Sequence, residues 1–344
     1  MIDFKLAGSV ARGVANLQPA GDPAPFSQLA GPAEEAERLV GEYTGLTAAA
    51  GVPVAEAVDR AAWIDANLKS MEAVLEPAAA RLAGGSGPIG SLAGGVLAIE
   101  AGAVSGFLAG RVLGQYEFPV LDPEGPSRLL FVAPNLAHAA RGLDAPDDQL
   151  LRWVALHEMT HALQFGGVPW LRPYLGDLLR ELLDSLEFNP RALLRVPDVG
   201  DVKALFDRVR DDGLAMVVIG PGRRGSLDRV QAFMAVLEGY AEHVMDAVGA
   251  SVLEDLPGLR GALGRRRRDR SGFLKLLDKL LGMDLKLRQY EQGKAFCDGV
   301  VARAGIEGLN RVWIGPAALP SVDELSDPAA WLARTEPLAL EPPA

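Results

Sequence analysis

Between Pro88 and Gly110 a single charge, Glu100, interrupts the run IGSLAGGVLAIEAGAVSGFLAG. A stretch of that length can just span a bilayer. Its composition argues otherwise: Gly, Ala and Ser dominate rather than Leu and Ile, and a carboxylate at mid-span is costly in lipid. Gly102, Gly106 and Gly110 recur every four residues, which places them on one helix face and lets another helix approach closely. The run is therefore expected to be an internal helix packed tightly against a neighbour, with no membrane partner.

The rest of the chain is compatible with a globular interior. Of 344 residues, 49% are hydrophobic and 23% charged, which excludes a disordered chain. The 45 acidic and 34 basic residues leave a net charge of −11, which argues against nucleic acid as a partner. One cysteine, Cys297, cannot form an internal disulfide and reads as a small core residue. The opening MIDFKLAGSVARG has no basic segment followed by a long apolar one, so a cytoplasmic location is expected.

Most of the remaining periodicity is helical. Helices are expected at about 32–50, from Pro53 to a stop at Gly84-Gly85, and through QLLRWVALHEMTHALQF to Gly166-Gly167, each with a proline start or a glycine stop where one is present. Further helices are expected at about 173–186, 201–210, 227–248 and 271–304, the last broken near Gly282 or Gly293. The short apolar run Arg128 to Asn135, closed by proline, reads as a strand. No internal repeat or convincing linker divides the chain. The expectation is one mainly α domain over residues 1–344 with a small sheet, its ends at 1–30 and 317–344 lying peripherally.

The chemistry concentrates at His157-Glu158-Met159-Thr160-His161. Four residues apart on a helix, His157 and His161 stand on one face and can present two imidazoles to one ion, with Glu158 placed to act on water. The chain has four histidines, and two of them fall in this pattern. The flanking Val154, Ala155, Leu156, Ala162, Leu163 and Phe165 make the helix largely buried, so its polar residues need partners, and a metal supplies them. Zinc requires at least three protein ligands. No histidine follows at the HExxHxxGxxH spacing. His243 and His138 are possible third ligands. Glu238 is the better candidate, because it lies at the inward edge of a helix whose apolar positions are Val230, Phe233, Leu237, Ala241 and Val244, where a cation would neutralise it.

HEMTH followed by LEGYAEH resembles the gluzincins, zinc peptidases whose third ligand is a glutamate on a following helix. Glu238-Gly239-Tyr240-Ala241 is similar to their Glu-Gly-Phe-Ala element. The resemblance implies that Glu238 binds zinc and that Glu242, one turn on, orients a ligand histidine. The chain also resembles a family of zincin-like proteins of unknown function classed as hydrolases, some labelled as associated with deazaflavin-coenzyme biosynthesis. LAGRVLGQYE, LFVAPN, HEMTHALQF, LEGYAEHVMDAVG and LKLRQYEQGKAF carry that likeness from about residue 90 to 315. It implies an α+β zincin-like fold with the sheet beside the HExxH helix. No dinucleotide or deazaflavin site is visible. Glu238 lies 77 positions after His161, far more than in gluzincin aminopeptidases, so the intervening helices are expected to form an insertion. The upstream Gly-x-Met-Glu-Asn element of those aminopeptidases is absent.

These features imply a zinc-dependent hydrolase, a metallopeptidase acting on a peptide or small amide, with Zn2+ bound by His157, His161 and Glu238 and with Glu158 as general base. Tyr290, Arg288 and His243 are candidate donors to the oxyanion, and the resemblance favours Tyr290. Leu129 to Ala133 could pair with an extended substrate, as the edge strand of zincins does. A zinc-binding protein without catalysis is the alternative, which Glu158 and the single cysteine disfavour. The basic run Arg265 to Arg268 with Arg270 reads as a solvated loop, and Ile219 to Gly225 lacks the setting of a phosphate loop.

Overall fold

A computed structural model describes residues 2–82, 88–122, 124–184, 224–269 and 288–339. Among these the fold is mainly helical, with eleven α-helices and one three-stranded sheet. The chain divides into two compact units: Met1–Gly176 with Ala241–Arg260, and Asp177–Tyr240 with Gly261–Ala344.

In the first unit, α1 (Phe4–Asn16) is capped by Asp3, whose Oδ1 accepts from the backbone N–H groups of Lys5 and Leu6 at 3.0 and 2.9 Å, the usual way to satisfy first-turn donors. Its Ala7, Ala11 and Ala15 are buried at a spacing of four. The glycine-rich run forms α4 (Pro88–Ala109). A Cβ added at Gly102 would lie 2.4 Å from the Ala7 carbonyl oxygen, and one at Gly106 would lie 2.4 Å from that of Ala11. At Gly110 it would meet the Gln18 side chain at 2.3 Å. The small residues on the two helices thus let their backbones touch. The N-terminal segment, expected at the periphery, is the partner that the glycine stripe requires. Among the described residues, no helix is long and apolar enough to cross a membrane.

Glu100 sits half-buried on α4, and burial raises its carboxyl pKa above the ordinary value. A raised folded-state pKa means that the folded chain holds this proton more tightly than the unfolded chain. The side chain then costs nothing below the unfolded pKa, and stability is lost as pH rises through the folded value. Glu100→Gln should therefore raise the melting temperature at pH 7. The gain should vanish near pH 4, where both states are largely protonated in the parent. Melting curves of the two proteins at the two pH values check this.

The sheet has the order β1-β3-β2. Strand β1 (Ala55–Val58) runs parallel to β3 (Arg128–Val132), with Ala55 opposite Leu129. Strand β2 (Gly114–Glu117) runs antiparallel to β3, with Tyr116 opposite Leu129. Ala55–Val58 falls inside the stretch expected to be helical from Pro53. Pairing with β3 overrides the helical preference of Ala-Glu-Ala, and the helix, α3 (Arg60–Leu82), begins only at Arg60. Leu129, Leu130, Phe131 and Val132 are fully buried. Since β3 is central and bonded on both sides, Leu129–Ala133 has no free edge, which overturns the expectation that it pairs with a substrate. Nor do Pro134 and Asn135 close the strand. They start α5 (Ala133–Leu143), where a first-turn proline gives up a hydrogen bond that no helix could make there. Asn135 accepts from Arg60 Nε at 2.8 Å, and the Arg60 guanidinium also donates to the carbonyls of Ala15 and Gln18 at the end of α1. A cation at that end also suits the helix dipole.

Helix α2 (Ala30–Thr44) packs on α6 (Asp147–Gly167). The latter carries Asp147 and Asp148 in its first turn, where the dipole favours them, and ends at the expected glycine pair. After it come α7 (Leu171–Asp184), α8 (Arg224–Val252), α9 (Leu256–Asp269) and α10 (Arg288–Leu309). Arg265–Arg268 lie in α9 rather than in a loop, and Arg270 lies outside the described residues. The break in α10 falls at Gly305 (φ 69°), not at Gly293; Gly282 lies outside the described residues. So do the expected helix at 201–210, the first part of the one expected at 271–304, and residues 219–223 of the Ile219–Gly225 segment. Within the second unit Cys297 is buried, as expected. The tail, expected to be peripheral, forms α11 (Pro328–Ala339), whose Trp331 is fully buried and donates from Nε1 to the Ala318 carbonyl at 2.7 Å.

Candidate metal centre

Helix α6 presents His157 and His161 one turn apart, both half-buried, on a helix whose neighbouring Val154, Ala155, Leu156, Met159, Thr160, Ala162 and Leu163 are buried. Their Nε2 atoms are 3.2 Å apart, and the rings stand nearly perpendicular at 85°. Two nitrogens bound tetrahedrally to one zinc at ~2.0–2.1 Å would be about 3.3 Å apart, so the pair is already spaced for an ion. The other ring nitrogens explain the orientation. His161 Nδ1 lies 2.9 Å from Gln164 Oε1, and His157 Nδ1 lies 3.1 Å from Met245 Sδ. With oxygen and thioether sulfur as acceptors for the two Nδ1 protons, the Nε2 atoms would be the nitrogens left to face a metal ion.

Glu238 supplies the carboxylate. It stands half-buried on α8, and one ligand atom from each of His157, His161 and Glu238 lies within 4.8 Å of the others. That cluster could hold a metal ion. Its donor set, two imidazoles and one carboxylate, suits zinc with a coordination position left open. Around Glu238, α8 is held by close backbone packing. A Cβ at Gly239 would lie 2.2 Å from the Gly293 carbonyl carbon, and one at Gly293 would lie 2.0 Å from the Ala235 carbonyl oxygen. The glycine after Glu238 is therefore a contact point with α10. Tyr240 is a core residue, its ring against Trp313 and its hydroxyl donating to Asn310 Oδ1 at 2.7 Å.

The other expected residues are distributed as follows. Glu158 is only 7% exposed, and its Oε2 accepts the Tyr116 backbone N–H at 3.0 Å. It is not among the three clustered groups. Glu242 stands half-buried one turn beyond Glu238. His243 does not join the cluster: its Nε2 meets the Tyr43 hydroxyl at 2.8 Å. His138 lies half-buried on α5, also outside the cluster. Tyr290 and Arg288 belong to the first turn of α10, and their side chains lie outside the described residues. Tyr290 precedes Gly293 by three residues, so its backbone is one turn from the α8 crossing.

Gln164, Met245 and Tyr116 are the residues that sequence reasoning did not single out. A signal existed only for Gln164, a fully buried amide three residues beyond His161, which places it on the same helix face.

A family model described as zincin-like metallopeptidase matches residues 2–332. No functionally curated protein matches the chain. Among solved structures, the chain is similar to a protein from Chloroflexus aurantiacus whose crystal structure is described as that of "a putative hydrolase with a novel fold". The two are 31% identical, with 99% of this chain and 100% of that chain covered and a TM-score of 0.75.

Proposed function

The chain belongs to the zincin-like metallopeptidase family, and from that premise we propose that it is a zinc-dependent hydrolase of peptide bonds or small amides. His157, His161 and Glu238 hold the ion, and Glu158 is the general base. The observation that carries this reading is the convergence of two Nε2 atoms 3.2 Å apart with a carboxylate inside 4.8 Å.

Zinc held there would polarise a carbonyl and bring the pKa of a water down towards ~7. Glu158, held in a nearly dry setting, takes a proton from the attacking water and returns it to the departing nitrogen. Gln164 and Met245 hold the two imidazoles in the tautomer that leaves Nε2 as the ligand atom. Glu242 is the carboxylate whose spacing from Glu238 matches the one that orients a ligand histidine in gluzincins, and Tyr290 donates to the oxyanion.

Chelation is the direct test. Protein dialysed against a zinc chelator should lose hydrolysis of a quenched-fluorescent peptide mixture and of acyl-p-nitroanilides, and zinc should restore it. Zinc uptake with no hydrolysis of either probe would turn the reading to a structural or partner-binding role. Absence of any bound transition metal after loading would end it.

A further inference from the structure

Glu158 is carried by α6, but β2 also reaches its carboxylate. We propose that Gly114 and Tyr116 are positioning residues for the Glu158 carboxylate, the first by leaving room for it and the second by binding it. The inference rests on the reading of Glu158 as the general base.

Glu158 is only 7% exposed, and a carboxylate so deeply buried needs donors. Tyr116 supplies one through its backbone N–H, 3.0 Å from Oε2. Residues along an antiparallel strand alternate between turning their backbone groups towards the partner and away from it. Val132 N–H donates to the Leu113 carbonyl at 2.9 Å, so Leu113 bonds within the sheet while Tyr116 turns its N–H outward to Glu158. Gly114 lies on the same alternate set as Tyr116. A Cβ there would stand 2.6 Å from Glu158 Cγ, 2.9 Å from Oε1 and 2.9 Å from Val154 Cγ1. Gly114 is not one of the positive-φ glycines, so the requirement is space, not backbone conformation. A glycine inside a strand marks such a close approach.

The strand that carries these two groups is held from several directions. Gln115 accepts from Trp63 Nε1 at 2.7 Å and donates to Asn67 Oδ1 at 3.1 Å, and Glu117 accepts from Ser70 Oγ at 2.8 Å, so the alternate side chains bind β2 to α3. On the α6 side the Tyr116 ring stacks on Phe165 at 6.1 Å and 15°. The Tyr116 hydroxyl accepts from Arg172 at 3.1 Å. A donor fixed in this way sets the plane of the carboxylate it binds, and with it the direction of Oε1.

Two measurements test the proposal. The first is amide exchange at Tyr116, which needs neither metal nor substrate. Exchange should accelerate about tenfold or more in Glu158→Ala, by loss of the acceptor, and stay slow in Glu158→Gln, whose amide oxygen still accepts. Equal exchange in Glu158→Ala and the parent would overturn it. The second is Gly114→Ala in the zinc-loaded protein. It should keep its zinc and its KM for the quenched-fluorescent peptide mixture while kcat falls about 10²-fold, the scale of an ångström-sized misplacement. A parental kcat in a folded, zinc-loaded Gly114→Ala would also overturn it. If the parent hydrolyses nothing, the functional reading fails, whereas the exchange measurement still decides the positioning.

Discussion

Wild-type protein loaded with zinc and dialysed is expected to retain about one ion per chain, and His161→Ala to retain almost none. The histidine is one of three ligands, and its Nε2 stands 3.2 Å from that of His157. Its removal leaves one imidazole and one carboxylate, fewer than the three ligands a zinc site needs. Glu238→Gln should weaken binding less, because an amide oxygen can still reach the ion but brings no charge. Stability reports the same event. A ligand present at 100–1,000 times its dissociation constant stabilises the folded state by about 3–4 kcal/mol, and in a chain of this size that is about 4–6 °C in melting temperature. The parent should therefore melt lower after chelation, and His161→Ala should melt at one temperature with or without zinc. Elemental analysis and melting curves check both. A zinc-replete His161→Ala would mean that the ion sits elsewhere.

What the sequence made legible follows from how local each feature is. His157, Glu158 and His161 stand within five residues on one helix, so spacing and apolar flanks were enough to find them. Glu238 could be placed on the inward edge of its helix from the apolar period of α8 alone. The glycine stripe on α4 announced a close helix contact, but nothing local could say that Ala7 and Ala11 of α1 would fill it. The period of α1 is written in alanines, and alanine marks a core face only weakly. Trp331 in the tail was hidden in the same way by the Pro- and Ala-rich composition around it.

The sheet was the least legible part, because strands are defined by partners far away in sequence. Ala55-Glu56-Ala57-Val58 has no strand signature of its own and is a strand because it lies against Leu129–Val132. Four consecutive apolar residues without alternation indicate a strand buried on both faces, and so a central one. The part played by Gly114 could not be read at all, since a glycine in a short strand signals a close approach without naming what approaches.

Glu158→Gln should keep its zinc and lose hydrolysis, a separation that no loss of a ligand can produce. Glu158 lies outside the cluster of three groups, so its removal leaves their number and charge unchanged. The glutamine is nearly the same size as the glutamate, and its amide oxygen can accept the Tyr116 N–H, so the surrounding packing of Val154 and Gly114 is preserved. What disappears is the ability to take a proton. General-base catalysis contributes about 10²–10⁴ in rate, and kcat should fall by that factor while the metal content and melting temperature stay close to those of the parent. Glu158→Asp separates charge from reach. It retains a base but draws the carboxylate back by one methylene from the position that Tyr116 and Gly114 define, so it should recover only part of the activity. Loss of zinc from Glu158→Gln would make this residue a ligand and reverse its role. Parental turnover in a zinc-loaded Glu158→Gln would require another base.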